Sequence, residues 1–195
     1  MKKFRYKIVR KVLEPIMAEF CSNYLLLKRE AFFTLKKEQM IPDDFYGQYP
    51  DTQCPNAFAT YGDIAMETLL VMAKPVCEKH LKMPLIPTYA YARIYEKDSI
   101  LHKHIDRKAC DFSTTLNLGG DPWPIFIEGK KINLKPGDML IYRGCDLEHW
   151  REKFKGRFCS QVFLHYNDAK DKTNLFDGRK HLGVPHNIRA ESNLK

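Results

Sequence analysis

The chain has 195 residues, 44% of them hydrophobic, and a formal net charge of +8 from 32 basic and 24 acidic side chains. That length fits one domain with a sizeable core, and no apolar run approaches the roughly 18–20 residues that span a bilayer, which excludes a membrane-spanning helix. The basic residues are scattered and accompany no nucleic-acid motif, so the charge predicts a solvated basic surface, with nucleic acid kept open as a partner.

Near the start, Arg5, Lys7, Arg10 and Lys11 interrupt any apolar run that a leader would need, which predicts a soluble, cytoplasmic protein. Pro15 suits the first position of a helix, and Ile16, Phe20, Tyr24 and Leu27 then recur at helical spacing. A second helix is predicted to begin after Asp63 as N-cap and to carry Ile64, Met72, Val76 and Cys77, with a kink or break at Pro75. Between the two, Ile41 to Pro55 holds four prolines or glycines and three aromatic residues. This segment reads either as a lid or as an ordinary packed connection. Residues 1–87 are thus a helical buttress and lid loop.

From Thr88 the grammar changes to strands. Tyr89, Tyr91, Arg93 and Tyr95 share one face, while Ala90, Ala92 and Ile94 share the other. Phe112 to Leu118, Trp123 to Glu128, Ile132 to Leu134, Met139 to Tyr142 and Phe158 to Tyr166 are short apolar or alternating runs separated by turn formers. Many short strands with regular turns predict a sandwich or jelly roll over residues 88–166, mainly β with N-terminal helices, an α+β arrangement. Ser113, Thr115 and Asn117 form a polar row that suits a site interior or solvent. Residues 167–195 form a polar tail with no readable periodicity.

Three residues in this β region combine as a metal-ligand set. In an extended strand residues i and i+2 point the same way, so His104 and Asp106 converge if Ile105 turns into a core; His149 arrives from a later strand. Two imidazoles and one carboxylate on one side of an ion leave positions open and suit non-heme Fe(II). His102 shares the face, and a site built from His102, His104 and His149 is the competing register. Alternation through Cys159 and Gln161 predicts that Arg157 points inward, where its fixed charge needs an anion; a surface position beside Lys153 and Lys155 is the other reading. The six cysteines show no paired spacing and read as reduced thiols.

The stretch Tyr95-Glu96-Lys97-Asp98-Ser99-Ile100-Leu101-His102-Lys103-His104-Ile105-Asp106, the Pro136-Gly137-Asp138 turn, His149 and Arg157 together resemble the prolyl 4-hydroxylase-like branch of the 2-oxoglutarate and Fe(II)-dependent oxygenases. The resemblance runs from about Thr88 to Tyr166. It implies a double-stranded β-helix core of jelly-roll or cupin-like form, with His104, Asp106 and His149 as iron ligands. It also implies that Arg157, eight residues past His149, pairs with the far carboxylate of 2-oxoglutarate, helped by Tyr95. Two positions depart from the pattern: Asp98 stands where a turn glycine is usual, and Asn117 where an aromatic residue near the cosubstrate is usual. The implied cofactors are Fe(II), 2-oxoglutarate and O2, and the implied reaction is hydroxylation of an amino-acid side chain, proline first, in a peptide or protein. An oxidative nucleic-acid demethylase and a non-catalytic jelly-roll binding module are the alternatives.

Overall fold

Two antiparallel sheets meet around a cavity in the computed structural model of the protein, which describes residues 4–40 and 46–185. In chain order the elements are β1 (Tyr6–Val9), α1 (Pro15–Lys37), β2 (Ala57–Tyr61), α2 (Ile64–Leu81), β3 (Leu85–Glu96), β4 (Leu101–His104), β5 (Phe112–Gly120), β6 (Ile125–Ile127), β7 (Lys130–Ile132), β8 (Met139–Tyr142), β9 (His149–Arg151) and β10 (Phe158–Asp168). The larger sheet runs β1-β8-β5-β10-β3-β2, and the smaller runs β4-β9-β6-β7.

Alternation along the strands decides which side chains face which layer. Ala90, Ala92 and Ile94 of β3, Leu116 of β5 and Val162 and Leu164 of β10 pack against the buried residues of both helices, such as Leu25, Phe32, Leu70 and Cys77. Their opposite neighbours, including Tyr95, Cys159 and Phe163, pack with Trp123 and Phe154 between the sheets. A third cluster joins Ile125, Ile127 and Ile132 of the smaller sheet to Leu140 and Tyr142 of β8. Burial on both faces is why β8, Met139–Tyr142, reads as a continuous apolar run.

The helices begin where their sequence signals lie, but they face differently from expectation. Asp63 caps α2, accepting from the backbone N–H of Ala65 and Met66. The helix then continues through Pro75, because Leu69, Leu70, Ala73 and Cys77 are already committed to the sheet. In α1 the spaced residues Ile16, Phe20 and Leu27 are 73%, 63% and 72% exposed, and the sheet is covered instead by Ala18, Cys21, Ser22, Leu25 and Phe32. Both stripes satisfy a 3.6-residue period; small residues at Ala18, Cys21 and Ser22 let the helix lie closer to the sheet than Phe20 would. The Pro136-Gly137 turn is held by residues before α1. Gly137 has φ +86, and a Cβ there would come within 2.3 Å of the Leu13 carbonyl oxygen.

The tail also gains a place that its sequence did not announce. After a 3-10 segment at Lys172–Gly178, Arg179 reaches back to Glu67 of α2 at 2.5 Å, and both side chains are essentially without solvent. Arg179 also donates to the carbonyl oxygens of Phe176, Thr88 and Val184. No helix among the described residues is long and apolar enough to cross a membrane.

Candidate metal centre and cavity

β4 and β9 pair antiparallel with His104 directly opposite His149, which brings the two imidazole centroids to 4.2 Å. Each ring is oriented by a backbone carbonyl: His104 Nδ1 lies 2.7 Å from the His102 oxygen, and His149 Nδ1 lies 2.9 Å from the Leu147 oxygen. A carbonyl only accepts, so each Nδ1 carries a proton, and Nε2 is the ring atom turned toward Asp106. Those two nitrogens lie 3.7 and 3.5 Å from Asp106 Oδ1. The three ligand atoms are all within 4.8 Å of one another. His102 is exposed and contributes its carbonyl rather than its ring.

Asp106 stands just past the end of β4, and Ile105 between the two ligating types is 59% exposed rather than anchored in a core. What directs Asp106 is the chain beyond it. Its N–H donates to the Gly144 oxygen at 2.9 Å, and its Oδ2 accepts from the Ser113 hydroxyl at 2.5 Å. Only Oδ1 is left toward the imidazoles. Burial alone would raise the Asp106 carboxyl; the His149 and His165 rings and the Ser113 hydroxyl outweigh it and hold the group well below the usual carboxylate range. Burial and the neighbouring His149 push His104 down, which keeps its ring neutral.

A second group, Asp106, Cys110 and His165, shares the same carboxylate. Burial pushes the Cys110 thiol far up, and its sulfur lies 3.1 Å from the Tyr89 hydroxyl. A thiol held protonated is a poor ligand. His165 is buried, is pushed down to about 4 by burial, and stacks on Tyr89 at 4.5 Å. Its Nδ1 backs Ser113 at 3.1 Å, so it supports the carboxylate from behind.

The first trio opens onto a cavity of about 440 Å3 lined by Tyr61, Tyr89, Tyr91, Arg93, Phe163 and residues of the segment before β2, Gly47, Gln48, Thr52 and Gln53. Residues 41–45 of the expected lid lie outside the described residues; of the remainder of Ile41 to Pro55, Gly47, Gln48, Thr52 and Gln53 line the cavity. Two arginines in the wall are already paired. Arg93 lies 3.0 Å from Asp51, and Arg107 makes two 2.7 Å bonds to Asp177, which also accepts from Tyr61.

The residues expected at the cosubstrate lie in different settings, Arg157 exposed and Tyr95 and Asn117 buried. Arg157 is exposed, one residue before β10 begins, and its backbone N–H is held by Asp121 Oδ2 at 2.6 Å; its alternation with Cys159 does not bring the guanidinium inside, because the strand has not yet started there. Tyr95 is completely buried beside Arg93, whose guanidinium donates to its hydroxyl at 3.3 Å. Asn117 is buried, donates to the Leu134 oxygen at 2.8 Å, and has an unpartnered Oδ1 among the described residues. The arginine that is buried here is Arg151, two residues past His149 and 1% exposed. Its one sequence signal is the i, i+2 spacing from His149.

No family profile matches the sequence, and no curated protein matches it. Solved structures do. The chain is similar to the viral collagen prolyl hydroxylase of Paramecium bursaria Chlorella virus-1, with 12% identity, a TM-score of 0.60, and 84% of this chain and 96% of that one covered. It is similar to a Pseudomonas putida prolyl-4-hydroxylase at 12% identity and TM-score 0.56, covering 82% of this chain and 91% of that one. A non-heme alpha-ketoglutarate-dependent epimerase from nogalamycin biosynthesis reaches 14% identity and TM-score 0.61, covering 86% and 80% respectively. The chain therefore has the fold shared by prolyl-4-hydroxylases and other 2-oxoglutarate and Fe(II)-dependent oxygenases.

Proposed function

We propose that the protein is an Fe(II)- and 2-oxoglutarate-dependent oxygenase, with the iron held by Nε2 of His104, Oδ1 of Asp106 and Nε2 of His149. The observation that carries this reading is the convergence of two imidazoles and one single-oxygen carboxylate on the wall of a cavity. The donor set fits: nitrogen and oxygen ligands on one side leave positions open, which suits non-heme Fe(II) and not a closed structural zinc site. On this reading the two packed antiparallel sheets are the double-stranded β-helix. When bound, iron and 2-oxoglutarate together activate O2 for oxidation of the substrate, with succinate and CO2 released.

The chain's own contribution is orientation and exclusion of water. The His102 and Leu147 carbonyls aim the imidazoles, Ser113 restricts Asp106 to one oxygen, and Tyr142, 3.4 Å from His149 Nε2, closes the site on the β8 side. Tyr61, Tyr89 and Tyr91 line the space left for the substrate, for which an amino-acid side chain of a peptide, proline first, is the reading supported by likeness to two prolyl hydroxylases. Fe(II)-dependent formation of succinate from 2-oxoglutarate tests the class; its absence from iron-loaded protein rejects it. A gain of one oxygen on peptides, read by mass spectrometry against methylated oligonucleotides as the competing substrates, tests the substrate.

Gly144 offers a sharper test of Asp106. A Cβ at this glycine would lie 2.2 Å from Asp106 Oδ2 and 2.3 Å from Ser113 Oγ. Gly144→Ala is expected to weaken Fe(II) binding by about 10–100-fold, the range for lost support of a metal ligand, as measured by anaerobic titration.

A further inference from the structure

We infer that the outer face of α1 and α2 is the contact surface between two copies of this chain, which associate as a twofold dimer. Seven large apolar side chains stand open on this layer, Ile16, Met17, Phe20 and Leu27 on α1 and Ile64, Val71 and Met72 on α2, each between 41% and 73% exposed. The two stripes adjoin, because Tyr24 and Lys28 of α1 both donate to Asp63, the cap of α2. Single exposed apolar residues are ordinary, whereas a contiguous set marks a place where something docks. Composition singles out the same face. The chain is 29% charged, yet from Pro15 to Leu27 and from Ile64 to Ala73 the only exposed charge is Glu19. Depletion of charge with enrichment of methionine and aromatic residues is the mark of an interface core.

A second copy is the occupant that fits this face. Aromatic and long aliphatic side chains carry on the order of 150–250 Å2 each, so seven that average more than half exposed offer about 800 Å2 per copy, the share of each partner in a standard specific interface. A closed dimer also needs a self-complementary patch. Ile16, Phe20, Asn23 and Leu27 follow one another at steps of four, three and four residues, a seam that reads the same in both directions. Two α1 helices can therefore lie antiparallel about an axis between Phe20 and Asn23, with Ile16 facing Leu27 of the partner subunit. Asn23 is the one polar group in the seam, the kind of residue that fixes register. The rim argues against a lipid surface. Between Glu14 and Glu30 the exposed charges are Glu14, Glu19 and Glu30, since Lys28 is tied to Asp63 and Arg29 bonds Glu30 and Glu96; anionic lipid repels such an acidic rim.

Sedimentation equilibrium of the full chain over a range of concentrations tests the inference. Wild type should approach twice the chain mass. Phe20→Glu and Val71→Glu, one on each helix, should each raise the dimer dissociation constant by on the order of 100-fold, because a twofold interface takes up every substitution twice. Both positions are exposed in the single chain, so both variants should still melt cooperatively, and Phe20→Leu, which keeps the seam apolar, should retain most of the association. Ile105→Glu, at a position 59% exposed outside this layer, should dimerise as wild type does. A wild type that stays monomeric at every concentration overturns the inference, and flotation of that monomer with phosphatidylserine vesicles, abolished by Phe20→Glu, then assigns the face to lipid. A dimer that survives in either folded glutamate variant, or is lost in Ile105→Glu, also overturns it, since the contact then lies elsewhere. None of these outcomes bears on the oxygenase reading, because the metal trio faces the cavity between the sheets and the helices pack on the opposite side of the larger sheet.

Discussion

His149→Ala is expected to abolish tight Fe(II) binding and all iron-dependent succinate formation. In the proposed ligand set this residue supplies one of three ligand atoms and its loss leaves two, so the effect should exceed the roughly 10–100-fold penalty of losing a group that merely supports a ligand. His149 is 2% exposed and packs on Tyr142, so the alanine variant also loses stability. Asp106→Asn separates the two effects, because it keeps shape while removing the anionic ligand. Iron titration and thermal melting on the same samples provide the check: both variants should lose iron, and Asp106→Asn should do so while still unfolding cooperatively. Retention of stoichiometric iron by either variant sinks the proposed ligand set. His102→Ala should bind iron like the parent, since its ring is exposed and only its carbonyl is used.

The largest stability effect should come from a pair far from the metal. Arg179→Met leaves Glu67 buried without its counter-charge, and breaking a buried pair in this way costs about 3–5 kcal/mol. At about 2–4 °C per kcal/mol for a chain of this size, Tm should fall by roughly 6–20 °C. Replacing both partners, Glu67→Leu with Arg179→Met, should recover most of the loss, because no charge is then stranded. A single variant that melts within a degree of the parent would mean that water reaches Glu67 and that the tail is not clamped there.

Local pattern alone determined a large part of this protein. Alternation in Tyr89 to Tyr95 is enough to separate the two faces of β3, since a strand has only two sides and alanine and tyrosine differ so much in size. Asp63 as a cap and Pro15 as a helix start are equally local, being set by backbone groups within a turn of the residue itself. The trio of His104, Asp106 and His149 was legible because two of its members are neighbours in sequence and residue type restricts the chemistry of the third.

Only the tertiary structure decided the rest. The outward face of α1 depended on how closely the helix approaches the sheet, which periodicity does not encode. Ser113, Gly144 and His165 come from three separate segments, and each acquires meaning only when folding sets it behind Asp106. The same holds for the arginines. Arg157 and Arg151 both sit at inward-reading spacings, but solvent reaches the first at the entry to β10, whereas β6, Trp123 and Thr115 enclose the second. Burial is a property of the assembled sheets, and it is burial that makes a permanently charged side chain depend on the partners around it.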